Sequence, residues 1–158
     1  TNTIWILLVG ICFFSCKVIA PNNNGFPSPR KQKLNLSHSH LTEIPSYVFE
    51  LEDLKVLNLH NNLLTEIPPE IGKLKNLEKL IISRNDLTKL PPEIGQLDNL
   101  KILSLKANKL EYIPPTIGQL KKLEVLRLNF NRLTFLPPEI GQLEALSHFY
   151  IEYNQIQF

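Results

Sequence analysis

The chain has 158 residues, 43% hydrophobic and 20% charged, with a formal net charge of +2. That length sets the expectation of one domain with a buried core, and 29 leucines exclude disorder as the main state. With 17 Lys and Arg against 15 Asp and Glu, the basic excess of a nucleic-acid binder is missing, and two Cys cannot build a disulfide scaffold. Twelve Pro against six Gly argue against long helices, and the absence of Met leads us to expect a trimmed chain or a fragment.

The N-terminus opens on an unbroken apolar run of 11 residues, Ile4 to Phe14. A membrane span needs roughly 20, so the run reads as the core of a secretory leader. Two exits are compatible with it. Val18-Ile19-Ala20 places a small residue before a cut. Phe14-Ser15-Cys16 resembles a relaxed bacterial lipobox, which implies lipidation of Cys16, although Phe13 and Phe14 stand where Leu and a small residue are usual. Either cut leaves few or no thiols in the folded part, so free-thiol chemistry is not expected. Residues 1–20 are thus assigned to the leader, and 21–30 (PNNNGFPSPR) to a polar, Pro-rich tether.

Residues 31–158 are a repeat with a period of 23. Four copies start at Leu54, Leu77, Leu100 and Leu123 and align without a gap as L-x-x-L-x-[LI]-x-x-N-x-L-x-x-[LI]-P-P-x-I-G-x-L-x-x. A weaker copy begins at Lys31 and carries Phe49 in the Gly column. A truncated copy begins at Leu146 and stops in mid-repeat at Phe158. Leu57 and Leu59, with their equivalents, alternate with polar residues, and period 2 means a short strand with one buried face. Asn62, Asn85, Asn108, Asn131 and Asn154 fall at the bend that follows, where a side-chain amide can donate and accept for backbone groups lacking a strand partner; Ser39 replaces Asn in the first copy. The second Pro of each pair suits the first position of a helical turn. Ile71 and Leu74, three apart, share an inward face, and the Gly column leaves room for adjacent turns to approach.

This pattern resembles the leucine-rich repeat, and its LPPEIGxLxx half is similar to the Ras-suppressor-like and plant intracellular Ras-group type, which is also common in bacterial surface proteins. The resemblance covers residues 31–158. It implies an α/β solenoid, with short parallel strands on the concave face and short helical or 3-10 turns on the convex face. A single turn cannot bury its own apolar side, so stability comes from stacking. About five strand spacings of roughly 4.8 Å give a sheet on the order of 24 Å across.

In such a solenoid the outward strand positions form the recognition surface. The candidate partner-binding residues are Lys79, Arg84, Lys106, Lys109, Arg127, Asn129, Phe130, Arg132, Tyr150 and Tyr153. Together with Lys33, the strip holds seven bases against the two acids Asp86 and Glu152, a balance of +5 that leaves the rest of the chain at −3. A segregated basic face steers acidic partners, and Arg, Tyr and Phe are residue types that anchor interfaces. His38, His40 and His60 fall on adjacent turns, but no carboxylate or Cys is fixed beside them, so no metal site is assigned. Asn35-Leu36-Ser37 is a lone glycosylation sequon. No phosphate loop, G-x-S-x-G elbow or H-E-x-x-H occurs, and the recurring Glu43, Glu66, Glu70, Glu93 and Glu139 read as solvated carboxylates.

The expectation is therefore a non-catalytic protein-binding module, with no cofactor and no nucleic-acid partner. It is exported, and touches a membrane only through an N-terminal lipid or leader. If lipidated at Cys16 it belongs to the cell envelope or surface, and otherwise it is secreted. Two rivals stay open: the targeting array of a longer, truncated enzyme, and an envelope protein contacting anionic polymers.

Overall fold

The computed structural model describes residues 32–157. The leader, Cys16, the tether and Phe158 lie outside the described residues. Six three-residue strands, β1 (Lys33–Asn35), β2 (Val56–Asn58), β3 (Lys79–Ile81), β4 (Ile102–Ser104), β5 (Val125–Arg127) and β6 (His148–Tyr150), form one parallel sheet in chain order. Register follows the repeat: Leu34 faces Leu57, then Leu80, Leu103, Leu126 and Phe149. Between the strands lie five 3-10 turns, η1 (Ser46–Glu50), η2 (Pro69–Lys73), η3 (Pro92–Gln96), η4 (Pro115–Gln119) and η5 (Pro138–Gln142).

The turns close as 3-10 rather than α because each is only five residues long and is pinned by i→i−3 bonds. The Ile71 N–H donates to Pro68 O at 3.1 Å, and the Leu74 N–H to Ile71 O at 3.1 Å. Pro69, Pro92, Pro115 and Pro138 each occupy the first position of a turn, where the missing N–H costs nothing. The preceding Pro stays extended, with φ −73° at Pro68.

The core is one continuous column. Leu57, Leu59, Ile71 and Leu74 and their counterparts at Leu80, Ile82, Ile94 and Leu97 are fully buried, each worth on the order of 1.5–3 kcal/mol of transfer free energy. Adjacent 3-10 turns come very close at the glycines. A Cβ on Gly95 would sit 2.4 Å from the Thr116 carbonyl oxygen, and one on Gly118 2.7 Å from that of Glu139. At Gly141 it would meet nothing within 4 Å among the described residues.

The asparagines join neighbouring turns at the bend. Asn85 Nδ2 donates to Leu59 O (3.0 Å) in the turn before and to Ile82 O (3.2 Å) in its own, while its Oδ1 accepts the Leu64 N–H at 3.0 Å. Asn108 and Asn131 repeat the arrangement. Each amide reaches back one turn. Ser39, in the first described turn, instead donates from its Oγ to Ser37 O at 3.3 Å.

Candidate functional site

The residue just before each bend Asn, or before Ser39 in the first turn, has a left-handed backbone: His38, Asn61, Arg84, Ala107, Phe130 and Tyr153 have φ between 55° and 59°. Such a residue turns the Asn side chain inward and throws its own outward. Its N–H still reaches the next turn, as Arg84 N–H does to Lys106 O at 2.9 Å. The left-handed region costs an L-residue other than Gly or Asn roughly 1–2 kcal/mol, so Arg84, Phe130 and Tyr153 occupy positions that Asn would hold more cheaply.

The ten predicted partner-binding residues sit along the strands and this bend. Parallel in-register pairing stacks like positions one above another, and the structure brings half of them into contact. Phe130 and Tyr153 lie ring on ring, with centroids 4.3 Å apart and planes 11° apart. The Lys106 ammonium lies 5.3 Å from the Phe130 ring centre, and the Arg127 guanidinium 5.5 Å from that of Tyr150. Phe130 and Tyr153 are 43% and 72% exposed. Asn129 is half-buried beside them, and its buried Oδ1 has no hydrogen-bond partner among the described residues.

The other five remain apart. Lys109 is tied to Asp86 at 2.7 Å, which removes one base and one acid from the strip. Lys79, Arg84 and Arg132 have no ion pair among the described residues. Exposure along the outward columns is not uniform. Ser83 and Ser104, in or beside the strands, are buried with their hydroxyls 2.7 Å apart. At the N-terminal end His38 and His60 meet edge to face at 5.4 Å, and Asn61 Nδ2 lies 2.9 Å from His38 Nδ1. Burial, then His38, then Arg84 hold the His60 imidazole below its usual pKa, against a smaller upward pull from the Ser83 backbone. No three His, Cys, Asp or Glu side chains converge as metal ligands among the described residues.

The left-handed column carries no sequence signal, since its occupants are His, Asn, Arg, Ala, Phe and Tyr rather than Gly. Three exposed aromatics, Tyr47, Tyr112 and Phe135, lie off the predicted strip. Tyr112 and Phe135 share one column outside the strand, thirteen residues into consecutive repeats, and a strip drawn from strand positions does not reach it.

Family models place these features. One described as a leucine-rich repeat region matches residues 80–156, and another described as leucine rich repeat matches 29–87. The chain is a leucine-rich-repeat protein. Among solved structures, this leucine-rich-repeat chain is similar to one from Leptospira interrogans, with 47% identity and a TM-score of 0.76 over 78% of this chain and 31% of that one. It is also similar to the plant peptide hormone receptor RGFR1, solved in complex with RGF2, at 31% identity and a TM-score of 0.63 over 77% of this chain and 24% of that one. The chain thus spans less than a third of the length of either relative. No curated protein matches it.

Proposed function

We propose that this leucine-rich-repeat protein is a non-catalytic binding module whose concave strip takes a protein partner through an acidic surface. The observation that carries this reading is the run of cations left without acids on one face: Lys79, Arg84, Lys106, Arg127 and Arg132 have no carboxylate within ion-pair distance among the described residues. Some charges off the strip do pair across turns, as Glu78 does with Lys101 at 3.0 Å and Lys55 at 3.5 Å. Unpaired cations on a shared face steer acidic partners. Capture of a peptide hormone by the plant receptor supports protein recognition by an array of this kind.

The test is charge reversal. The native chain and an Arg84→Glu, Lys106→Glu, Arg127→Glu variant are immobilised and exposed to extract from the source cells. Proteins retained by the native chain and released by salt should be lost from the variant. Equal retention by both would remove the reading.

The same proposal places the protein outside the cytoplasm, held at the envelope by lipid on Cys16, on the strength of the apolar run Ile4 to Phe14 and the Ser15-Cys16 pair. Mass spectrometry of the mature N-terminus should find a diacyl or triacyl mass on Cys16. An unmodified terminus near residue 21 would reduce the proposal to simple secretion.

A further inference from the structure

The aromatic rings on the concave strip have spent their faces. Phe130 is covered on one side by Tyr153, at 4.3 Å. On the side of the preceding turn it is covered by the Lys106 ammonium, at 5.3 Å. Tyr150 has the Arg127 guanidinium over it at 5.5 Å. Because the Phe130–Tyr153 stack runs between adjacent turns, its ring planes lie across the solenoid axis, and what points away from the sheet is ring edge.

A ring carries negative potential on its face and positive potential on its edge. A cation over a face keeps its full charge. The surface of turns four to six therefore presents positive ring edges beside Lys106 and Arg127, with the acid Glu152 at its end. It is anion-seeking although it carries exposed aromatic hydrocarbon. A neutral sugar needs a free ring face to stack on, and among the described residues Phe130 offers none, while Tyr150 and Tyr153 each have one face already covered. A polyanion dense in sulfate or phosphate would use the cations but gain nothing from desolvating the rings.

We propose that this patch is a specific site for an amphipathic acidic protein segment, one that alternates Glu or Asp with aliphatic or aromatic residues. Its carboxylates meet Lys106, Arg127 and the ring edges, and its apolar side chains cover the exposed rims of Phe130 and Tyr153. This rests on the proposed acidic partner and names its chemistry.

The fold supplies a clean variant. Asn61 holds the same column as Phe130 and Tyr153, with φ 55°, so Phe130→Asn with Tyr153→Asn removes both rings while keeping a residue suited to that backbone. Fluorescence anisotropy on the full chain would use three labelled probes: a peptide alternating Glu with Leu and Phe, an oligoglutamate of equal charge, and a heparin oligosaccharide. The native chain should bind the alternating peptide at least tenfold more tightly than the other two. F130N/Y153N should lose that preference without a lower melting temperature, and Arg127→Gln should weaken all three. Equal binding of all probes, no binding of any, or a preference that survives F130N/Y153N would overturn the site. If it falls while charge reversal still strips the captured proteins, the broader reading stands; if charge reversal changes nothing, the broader reading falls as well.

Discussion

Asn108 Oδ1 accepts the Leu87 N–H at 3.1 Å across the boundary between two turns, while its Nδ2 donates to Ile82 O and Leu105 O. All of these groups are buried, so the amide is the one thing that completes the hydrogen bonding of two consecutive bends.

Asn108→Ala should therefore cost about 2–3 kcal/mol, the penalty for leaving buried backbone groups unpaired, and lower the melting temperature by roughly 5–10 °C. Asn154 makes equivalent bonds in a half-buried setting, and water can replace them. Asn154→Ala should cost nearer 1 kcal/mol. Urea denaturation of the two variants side by side is the check, and equal losses would contradict it.

Gly95 and Gly141 hold the same column with different surroundings. An added methyl at Gly95 collides with the Thr116 backbone, while at Gly141 it meets open space among the described residues. Gly95→Ala should destabilise by about 1–3 kcal/mol through overpacking, and Gly141→Ala should lie within about 0.5 kcal/mol of the parent. Thermal melts of both settle the contrast.

Ala107 sits at φ 55° with no side chain able to use the position. Ala107→Gly releases the left-handed penalty, partly offset by the extra freedom of Gly in the unfolded chain, for a net gain of up to about 1 kcal/mol. A fall in the urea midpoint would mean that the backbone is not held where it is described.

His60 couples stability to pH. Its folded pKa lies below the ordinary 6.5, from burial first, then His38, then Arg84. The folded protein then binds fewer protons than the unfolded chain between the two values, so the contribution is complete above pH 6.5 and fades as pH falls through the folded midpoint. The ring proton NMR signal of His60 should titrate below 6.5 and move upward in Arg84→Gln. A midpoint at or above 6.5 in the parent would refute the coupling.

Most of the scaffold was legible because each column performs one physical task 23 residues apart. Leu57 and Leu59 mark a strand by alternation, Asn85 marks a bend by its paired donor and acceptor, and Pro69 starts a turn. Gly95 reads as a contact point and the structure bears this out. At Gly141 the same letter meets no neighbour among the described residues, because contact depends on the adjoining turn and not on the residue itself. The basic strip was legible as composition, but its pairing was not. Nothing in the sequence told that Lys109 would close on Asp86 while Arg84 had no ion pair among the described residues. The left-handed column was invisible, since the bend forces that conformation on whatever residue is there. So was the Phe130–Tyr153 stack, which follows from strand spacing close to the thickness of a ring.

Because Leu57, Leu80, Leu103 and Leu126 pair in strict register, the gene for this protein has a natural unit of editing. Duplicating or deleting 23 codons adds or removes one row and changes the length of the binding strip by roughly one strand spacing, ~4.8 Å. An indel of a single codon within a strand would turn every later outward side chain of that strand inward. Reach along a partner can thus be tuned in discrete steps by unequal recombination, while the residues that do the recognising are free to change one at a time.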